Sequence, residues 1–519
     1  MPHTFNTAGP CDPRLHYMLP PERRLPGVRG LLDQQSYFVL HAPRQAGKTT
    51  SVRALAEHLR AEGRYAAVYA SCEAGQAAGG DVEAGISAVV DSIRMQAREQ
   101  LAPQLQPPAA GESHQPETRL WAFLADWARS SPLPVLLFLD EIDSLLDATL
   151  ISVLRQLRTA YPDRPQSFPQ SVVLVGLRDV RDYRLAVRPE PVTLGTASPF
   201  NIKVESLTLR NFTRDEVDEL YAQHTSATGQ TFTHEAVDRA FGLTRGQPWL
   251  VNALARQMVE KDVPDREVAI TAAHVEKAKE ALIERRDTHL DSLIDRLREP
   301  RVRRVIEPLL AGDLVVGDRI DDDVAYVEDL GLIERHGEGH IRIANPLYHE
   351  VIPRALAAIT QLTIPYSTSW YVRPDGRLDM DGLLAGFSGF WREHGEALLS
   401  SQPYPEAAPH LVLLAFLQRI VNGGGAIDRE YALGMGRMDL CVRWPYPGGL
   451  QREAIEIKVW RPGRPDPQES GIEQLAGYLN RLDLGHGYLV IFDRRPNAAP
   501  KGERTEIEGQ GRRIAVLRL

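Results

Sequence analysis

From about residue 36 to 205 the chain alternates short, almost wholly apolar runs with longer amphipathic stretches. The apolar runs are Tyr37–Leu40, Tyr65–Tyr69, Val135–Leu139 and Val172–Val175. Runs of this kind predict strands buried on both faces of a parallel sheet. The stretches between them, such as Ser51–Ala61 and Ser144–Ala160, predict helices, so this part reads as an open α/β domain. Ala102–Thr118, with QPPAAGESHQP at its centre, is proline-rich and polar and is expected to be an exposed insertion. From about 211 to 295 the pattern is helical throughout, with Thr213 and Glu216 spaced as a capping box. Residues 298–356 read as helix, helix, hairpin: Val302–Leu310, Asp321–Leu330, then Ile333-Glu334 and His340–Ile343 about a Gly-containing turn. A break follows near 360–380, and a second α/β unit runs to Leu519. No internal repeat is visible.

At 519 residues the chain is too long for one hydrophobic core and should hold two to four domains. Apolar residues at 43% and charged residues at 25% are the balance of a soluble globular protein, which excludes a disordered, collagen-like or coiled-coil chain. The net charge of −9 speaks against a protein basic all over, such as a histone-like coat, but leaves room for a local basic cleft. Cys11, Cys72 and Cys441 lie far apart with no CxxC pair, so neither a disulfide framework nor a zinc site is expected, and a reducing cytosol is the natural home. The N-terminus lacks an apolar signal-peptide core, and no apolar run reaches the roughly 20 residues that span a bilayer. A cytoplasmic protein without membrane contact is the expectation.

The chemistry begins where the first strand ends. His41-Ala42-Pro43-Arg44-Gln45-Ala46-Gly47-Lys48-Thr49-Thr50 sits between a strand and a helix, the context a phosphate-binding loop requires. The loop from Pro43 to Thr50 would cradle phosphates with the backbone N–H groups that follow Pro43 and with the helix N-terminus, Lys48 would reach the β/γ oxygens, and Thr49 would ligate Mg²⁺. The first glycine of GxxxxGK[ST] is Ala42 here, which can make the turn if its φ stays negative. Leu133–Leu139 then ends in Asp140-Glu141, a Walker B pattern. Asp140 would hold the Mg²⁺ and Glu141 would polarise the attacking water. Arg178-Asp179 follow the next strand, where a phosphate-sensing residue is expected. Arg155, Arg158 and Arg181 are candidate arginine fingers, with solvated surface arginines as the plain alternative for each. ATP and Mg²⁺ are the expected cofactors.

These segments resemble the AAA-like bacterial ATPases near the STAND and archaeal-ATPase branch of P-loop NTPases, over roughly residues 5–356. The resemblance is carried by HAPRQAGKTT, LLFLDEID, Ser198–Lys203 and Thr244-Arg245-Gly246-Gln247-Pro248-Trp249. It implies that Gly246 and Pro248 lie in a helical lid near the adenine. It also implies that Asn345–Pro353 closes a winged helix, and that the lead-in around His16–Pro20 packs on the nucleotide. A homo-oligomer formed through the ATPase domain would follow from it.

The last 119 residues carry a second constellation. Gly436–Val442 reads as a strand leaving a Gly-rich turn, and seventeen residues after Asp439 comes Glu456 within Ala454–Trp460. Alternation puts Glu456 and Lys458 on one face of that strand, with Ile455 and Ile457 toward the core. Asp439 and Glu456 would bind one or two Mg²⁺, and Lys458 would orient or help deprotonate the water. Gln474 and Tyr478 lie i, i+4 on the helix Ile472–Arg481, after a helix expected at His410–Asn422. Together these residues resemble the PD-(D/E)XK nuclease superfamily over about 380–519. The resemblance implies a first-helix carboxylate, for which Glu406 and Glu430 (on the strand Ile427–Ala432) compete. The same 119 residues hold 16 Lys+Arg against 14 Asp+Glu, so the net acidity of the chain lies elsewhere.

The expected architecture is therefore α/β and multidomain. A lead-in (1–30) precedes a P-loop NTPase parallel sheet (31–205), a helical lid (206–296) and a winged helix (297–358). A linker (359–380) then leads to a PD-(D/E)XK-like α/β domain (381–519). The expected function is ATP binding and hydrolysis controlling a Mg²⁺-dependent nuclease that acts on nucleic acid, with DNA ahead of RNA, in defence, mobile-element or repair work. The competing expectation is a nucleotide-dependent switch or scaffold whose C-terminal domain binds without cutting. A third class is a transcription regulator acting through the winged helix, where Arg301, Arg303 and Arg304 supply basic charge.

Overall fold

A computed structural model describes residues 3–109, 115–145, 147–178, 202–285, 288–310, 322–336, 340–363, 371–401, 407–417, 425–433, 436–495 and 502–519. Glu406, Asp179, Arg181, 198–201 and 418–422 lie outside these residues, as does the side chain of Glu430. The chain divides into two compact units, Met1–Arg285 with Glu328–Gly331, and Arg286–Val327 with Leu332–Leu519.

In the first unit α1 (Val28–Asp33) precedes β1 (Tyr37–His41), α2 (Lys48–Ala61), β2 (Ala66–Ser71), α3 (Val82–Gln100), α4 (Pro116–Ser130), β3 (Val135–Asp140), α5 (Asp147–Thr159), β4 (Ser171–Gly176) and β5 (Lys203–Thr208). The strands form one sheet in the order β2-β3-β4-β1-β5, and all four neighbouring pairs run parallel. Alternate residues enter two different cores. Tyr37, Val39, Leu137, Leu139 and Leu174 face one side; Phe38, Leu40, Leu136, Phe138 and Val173 face the other. That double burial is why these strands are written as unbroken apolar runs.

The segment expected as an exposed insertion is partly ordered onto this core. Pro116 opens α4, where its missing N–H costs nothing and its φ is already helical, so Pro116–Thr118 belong to a helix. The indole N–H of Trp127 on α4 donates to Leu105 O at 2.9 Å, tying down the short turn Pro103–Leu105.

The helical part continues with α6 (Arg214–Thr228), α7 (His234–Thr244), α8 (Pro248–Gln257) and α9 (Ala272–Arg285). The capping box closes as expected: the Thr213 hydroxyl accepts from Glu216 N, and the Glu216 carboxylate accepts from Thr213 N at 2.8 Å.

The second unit opens with α10 (Thr288–Arg296), α11 (Pro300–Leu310), most of α12 (Asp322–Asp329), the hairpin β6 (Ile333–His336) and β7 (His340–Ile343), and α13 (Pro346–Thr363). It continues with α14 (Met380–Ser401), α15 (Ala408–Leu417), β8 (Ala426–Leu433), β9 (Gly436–Tyr446), β10 (Gly449–Trp460), α16 (Gln468–Leu482), β11 (His486–Asp493), β12 (Glu503–Gly509) and β13 (Arg512–Arg518). These last six strands make one sheet in the order β12-β13-β11-β10-β9-β8. β8, β9 and β10 are antiparallel neighbours, whereas β10, β11 and β13 run parallel. One face, with Leu440, Val442, Ile455, Ile457 and Val490, packs on α14 and α15. The other, with Cys441, Ala454, Leu489 and Val516, packs on α16. All ten residues of α15 are buried, which explains an apolar run with no polar face.

Candidate functional site

The phosphate-loop residues leave the carboxyl end of β1, the edge of a parallel sheet where ligands characteristically bind. Positive φ in this loop falls at Gln45 (57°) and Gly47 (86°), and Ala42 stays out of the left-handed region. The substituted first glycine therefore meets no backbone demand that alanine fails. α2 begins at Lys48. Its ammonium is nearly buried and donates to Ala42 O at 2.7 Å and Pro43 O at 3.0 Å.

β3 delivers Asp140 to the same edge, fully buried. The Thr49 hydroxyl donates to Asp140 Oδ2 at 2.7 Å, the Tyr69 hydroxyl to the same oxygen at 3.2 Å, and Glu141 N to Oδ1 at 2.9 Å. A hydroxyl and a carboxylate in contact are a hard-oxygen pair of the kind Mg²⁺ takes, so the donor set fits that ion. Glu141 is held at φ 53°. Burial, then the neighbouring Asp140 and Asp143, push its carboxyl above the ordinary glutamate range, against the pull of Lys48. Burial lowers the Lys48 ammonium, opposed by Glu141, Asp143 and Asp140.

The helical part reaches this loop. Gly246 has φ 72°, and a Cβ there would lie 1.9 Å from Phe212 O, so glycine is the residue that fits. Pro248 is buried at the first turn of α8, with Gln247 as N-cap accepting from Leu250 N at 2.6 Å. The Gln247 amide also donates to Gln45 O at 3.5 Å. In the lead-in, Cys11 N donates to Thr50 Oγ1 at 3.0 Å, while Thr7 O accepts from the Trp249 indole at 2.9 Å. Arg155 and Arg158 are exposed on α5, and Arg178 is largely buried after β4.

Two participants gave no signal in sequence. Arg24 is buried beneath the loop, donating to Ala46 O at 2.8 Å and through Nε to Arg210 O at 2.9 Å. Burial pulls its guanidinium down to about 10. Tyr69 reaches Asp140 because β2 pairs with β3, with Ser71 opposite Asp140. Only the strand order could have revealed it.

In the second unit β9 and β10 bring together residues that are distant in sequence. Asp439 Oδ2 accepts from Ile457 N at 2.7 Å, which fixes its carboxylate beside Glu456. Glu456 has no exposed surface. Its Oε1 accepts from Lys458 Nζ at 2.7 Å, and its Oε2 is buried without a hydrogen-bond partner among the described residues. Lys458 Nζ also donates to Gln474 Oε1 at 2.9 Å, and the Gln474 amide donates to the Tyr478 hydroxyl at 2.9 Å. Burial, then Asp439, pushes the Glu456 carboxyl up to about 8. Burial also acts against the Lys458 ammonium, but Glu456 and Asp439 outweigh it and leave it above its ordinary value.

A buried carboxylate oxygen with no hydrogen-bond partner among the described residues, next to a second carboxylate, fits a divalent cation. Among the described residues no group of three or more His, Cys, Asp and Glu converges as a metal site. Mg²⁺ is satisfied by one or two carboxylates plus water and phosphate oxygens, so two carboxylates suffice for it.

Residues 31–183 match the AAA domain family. This segment is an AAA-type P-loop ATPase domain. Its parallel sheet, its loop between β1 and α2, and Asp140 at the end of β3 all lie inside the matched stretch, save β5 at the sheet's edge. No curated protein matches the chain. Among solved structures, the Walker-type ATPase PABY2304 of Pyrococcus abyssi is 14% identical with a TM-score of 0.46, over 67% of this chain and 99% of its own. The RuvB Holliday junction branch migration motor of Thermotoga maritima is 17% identical with a TM-score of 0.33, over 67% and 94%. Cdc6p of Pyrobaculum aerophilum is 13% identical with a TM-score of 0.36, over 66% and 94%. No helix among the described residues is long and apolar enough to cross a membrane.

Proposed function

We propose that the AAA-type domain binds and hydrolyses ATP and that this controls a Mg²⁺-dependent DNA nuclease formed by the C-terminal sheet. In the first site the loop from Pro43 to Thr50 would hold the phosphates, with Lys48 on the β/γ oxygens. Thr49 and Asp140 would hold Mg²⁺, and Glu141 would orient the attacking water. Its raised proton affinity suits a group that takes a proton during the reaction. Exposed Arg155 or Arg158 would serve a neighbouring copy in a homo-oligomer.

The observation that carries the nuclease reading is the convergence of Asp439, Glu456, Lys458 and Gln474, with Glu456 Oε2 buried and unbonded among the described residues. Asp439 and Glu456 would hold Mg²⁺, which when bound neutralises charge on a phosphodiester and lowers the pKa of water. Gln474 and Glu456 fix two of the three Lys458 N–H donors. The third has no partner among the described residues and is free for a phosphate oxygen or a water. Burial of Glu456 strengthens its contact with Lys458 by lowering the local dielectric, while the Lys458–Gln474 contact stays open to solvent.

A non-cleaving binding domain is favoured by a different observation, that only two carboxylates converge among the described residues. Plasmid nicking with Mg²⁺, with and without ATP, on wild type and Lys458→Ala separates the two. Cutting by wild type that Lys458→Ala abolishes supports the nuclease. No cutting by wild type under any nucleotide condition leaves the switch or scaffold.

A further inference from the structure

The C-terminal sheet holds a cavity of about 200 Å³ on the face that packs against α14. One wall is a stripe of α14. Asp381, Leu384, Ala385, Ser388 and Arg392 recur at helical spacing and share one side of the helix over about 16 Å. Tyr488 of β11 and Ala515 and Leu517 of β13 form the floor. Gly502 and Arg504 close the far side, where the chain enters β12. The cavity is smaller than the roughly 300–1,000 Å³ sites that take drug-sized ligands, so it suits a smaller molecule.

The two ends use their polar groups differently. At one end they satisfy each other: Asp381 Oδ1 accepts from the Tyr488 hydroxyl at 2.9 Å and from Arg504 at 2.8 Å. At the other end they do not. Ser388 is only 6% exposed, yet its hydroxyl has no hydrogen-bond partner among the described residues. A helical serine commonly returns its hydroxyl to the carbonyl one turn back, and Ser388 does not. One turn further along, the exposed Arg392 guanidinium has neither hydrogen bond nor ion pair among the described residues. Gly502 keeps this end open. Its φ is 56°, and a Cβ there would lie 3.0 Å from Ser388 Oγ and 3.8 Å from Arg392 Nε. Both donors are thus within 4 Å of one point, and one small group can reach the two together.

A hydroxyl and a guanidinium that converge on one point call for an acceptor, and the guanidinium calls for a negative one. One guanidinium balances one charge, and its planar fork matches a carboxylate. Between this end and Asp381 the lining is apolar, with Leu384, Ala385, Ala515 and Leu517. It takes a hydrocarbon body rather than a second charged group.

We propose that this cavity binds a small organic monocarboxylate, with its carboxylate on Arg392 and Ser388 and its apolar body along Leu384, Ala385 and Ala515. Tyr488, Ala515 and Leu517 share a core with Ile455 and Ile457, whereas Glu456 alternates to the opposite face of β10. The inference therefore goes beyond the nuclease reading and does not depend on it.

The test is a saturation-transfer NMR titration of the full chain, in EDTA, with hexanoate and with its neutral counterpart hexanamide. Wild type is compared with Arg392→Ala, with Ala385→Leu, which narrows the cavity from an exposed helical position, and with Arg452→Ala on β10 as a control. Wild type should bind hexanoate with a Kd below about 10 mM. Loss of a charge-assisted hydrogen bond should weaken hexanoate about tenfold in Arg392→Ala and leave hexanamide unchanged. Ala385→Leu should weaken both ligands, and Arg452→Ala should match wild type. Four results overturn the proposal: no hexanoate binding by wild type up to about 10 mM, equal affinity of wild type for hexanoate and hexanamide, hexanoate binding untouched in Arg392→Ala, or binding untouched in Ala385→Leu. Inorganic phosphate that binds at Arg392 more tightly than hexanoate overturns the carboxylate assignment as well. None of these readouts involves DNA cutting, so a wild type that never nicks a plasmid leaves the result as it stands.

Discussion

Glu456 offers the sharpest check on the C-terminal site, because its burial has a consequence that needs no substrate. Burial and the neighbouring Asp439 push its carboxyl up to about 8 in the folded chain, against an ordinary glutamate value of 4.5. The folded state thus binds this proton more tightly than the unfolded state does. The associated stability is fully present below pH 4.5 and is lost as pH rises toward 8. At about 1.4 kcal/mol per pKa unit the whole effect has a ceiling of about 5 kcal/mol, of which about 4 kcal/mol falls between pH 5 and 8.5. Glu456→Gln keeps the shape and can still accept from Lys458, but it cannot ionise. Urea unfolding in EDTA, followed by tryptophan fluorescence at several pH values, gives the stability of each protein. Subtracting one from the other cancels the shared groups remote from Glu456, and leaves its own titration together with that of Asp439 and Lys458 beside it. The variant should gain on wild type steadily from pH 5 to 8.5. A difference that moves by less than about 1 kcal/mol over that range, or that favours wild type at high pH, would refute the burial and crowding of Glu456.

Other outcomes follow from single contacts. Lys48→Ala should weaken ATP binding more than about tenfold in a fluorescent-nucleotide titration, since a buried charge-assisted donor is removed, and unchanged affinity would move the phosphate site elsewhere. Gly246→Ala should cost at least about 2 kcal/mol, because its Cβ would meet Phe212 O at 1.9 Å with φ at 72°. Gly242→Ala on α7, with open space around it, should be neutral or gain roughly 0.5–1 kcal/mol in the same denaturation assay. Thr213→Ala should lose about 1 kcal/mol of stability through the capping box of α6, with Thr213→Ser restoring most of it.

Much of the fold was legible because burial on both sides of a sheet leaves a plain mark. β1, β3 and β4 are apolar at nearly every position, and glycine or aspartate closes β3 and β4. The start of α6 was legible for a local reason, the spacing of Thr213 and Glu216. Contacts set by tertiary neighbours were not. Pro116 reads as a loop residue, yet it opens α4, since a proline at the first helical position and one in a linker look alike in sequence. Arg24 lies 23 residues before Gly47 in a Pro- and Arg-rich stretch, and only folding places it under Ala46. Glu456 alternates with isoleucines as an exposed residue on a half-buried strand would. Its full burial comes from α16 covering the second face of the sheet.

Two buried carboxylates show how similar sequence signals lead to different surroundings. Asp140 and Glu456 both lie on strands of mixed or parallel sheets, and both are completely buried. Asp140 has each oxygen occupied, by the Thr49 and Tyr69 hydroxyls and by Glu141 N, so the fold itself holds that carboxylate in place. Glu456 has one oxygen on Lys458 and the other on nothing among the described residues, and it lies against Asp439. A proton or a further cation would relieve it. In the first site Asp140 is therefore held ready by its own neighbours. The second is built with an unmet demand for positive charge, and a divalent cation between Asp439 and Glu456 would answer it.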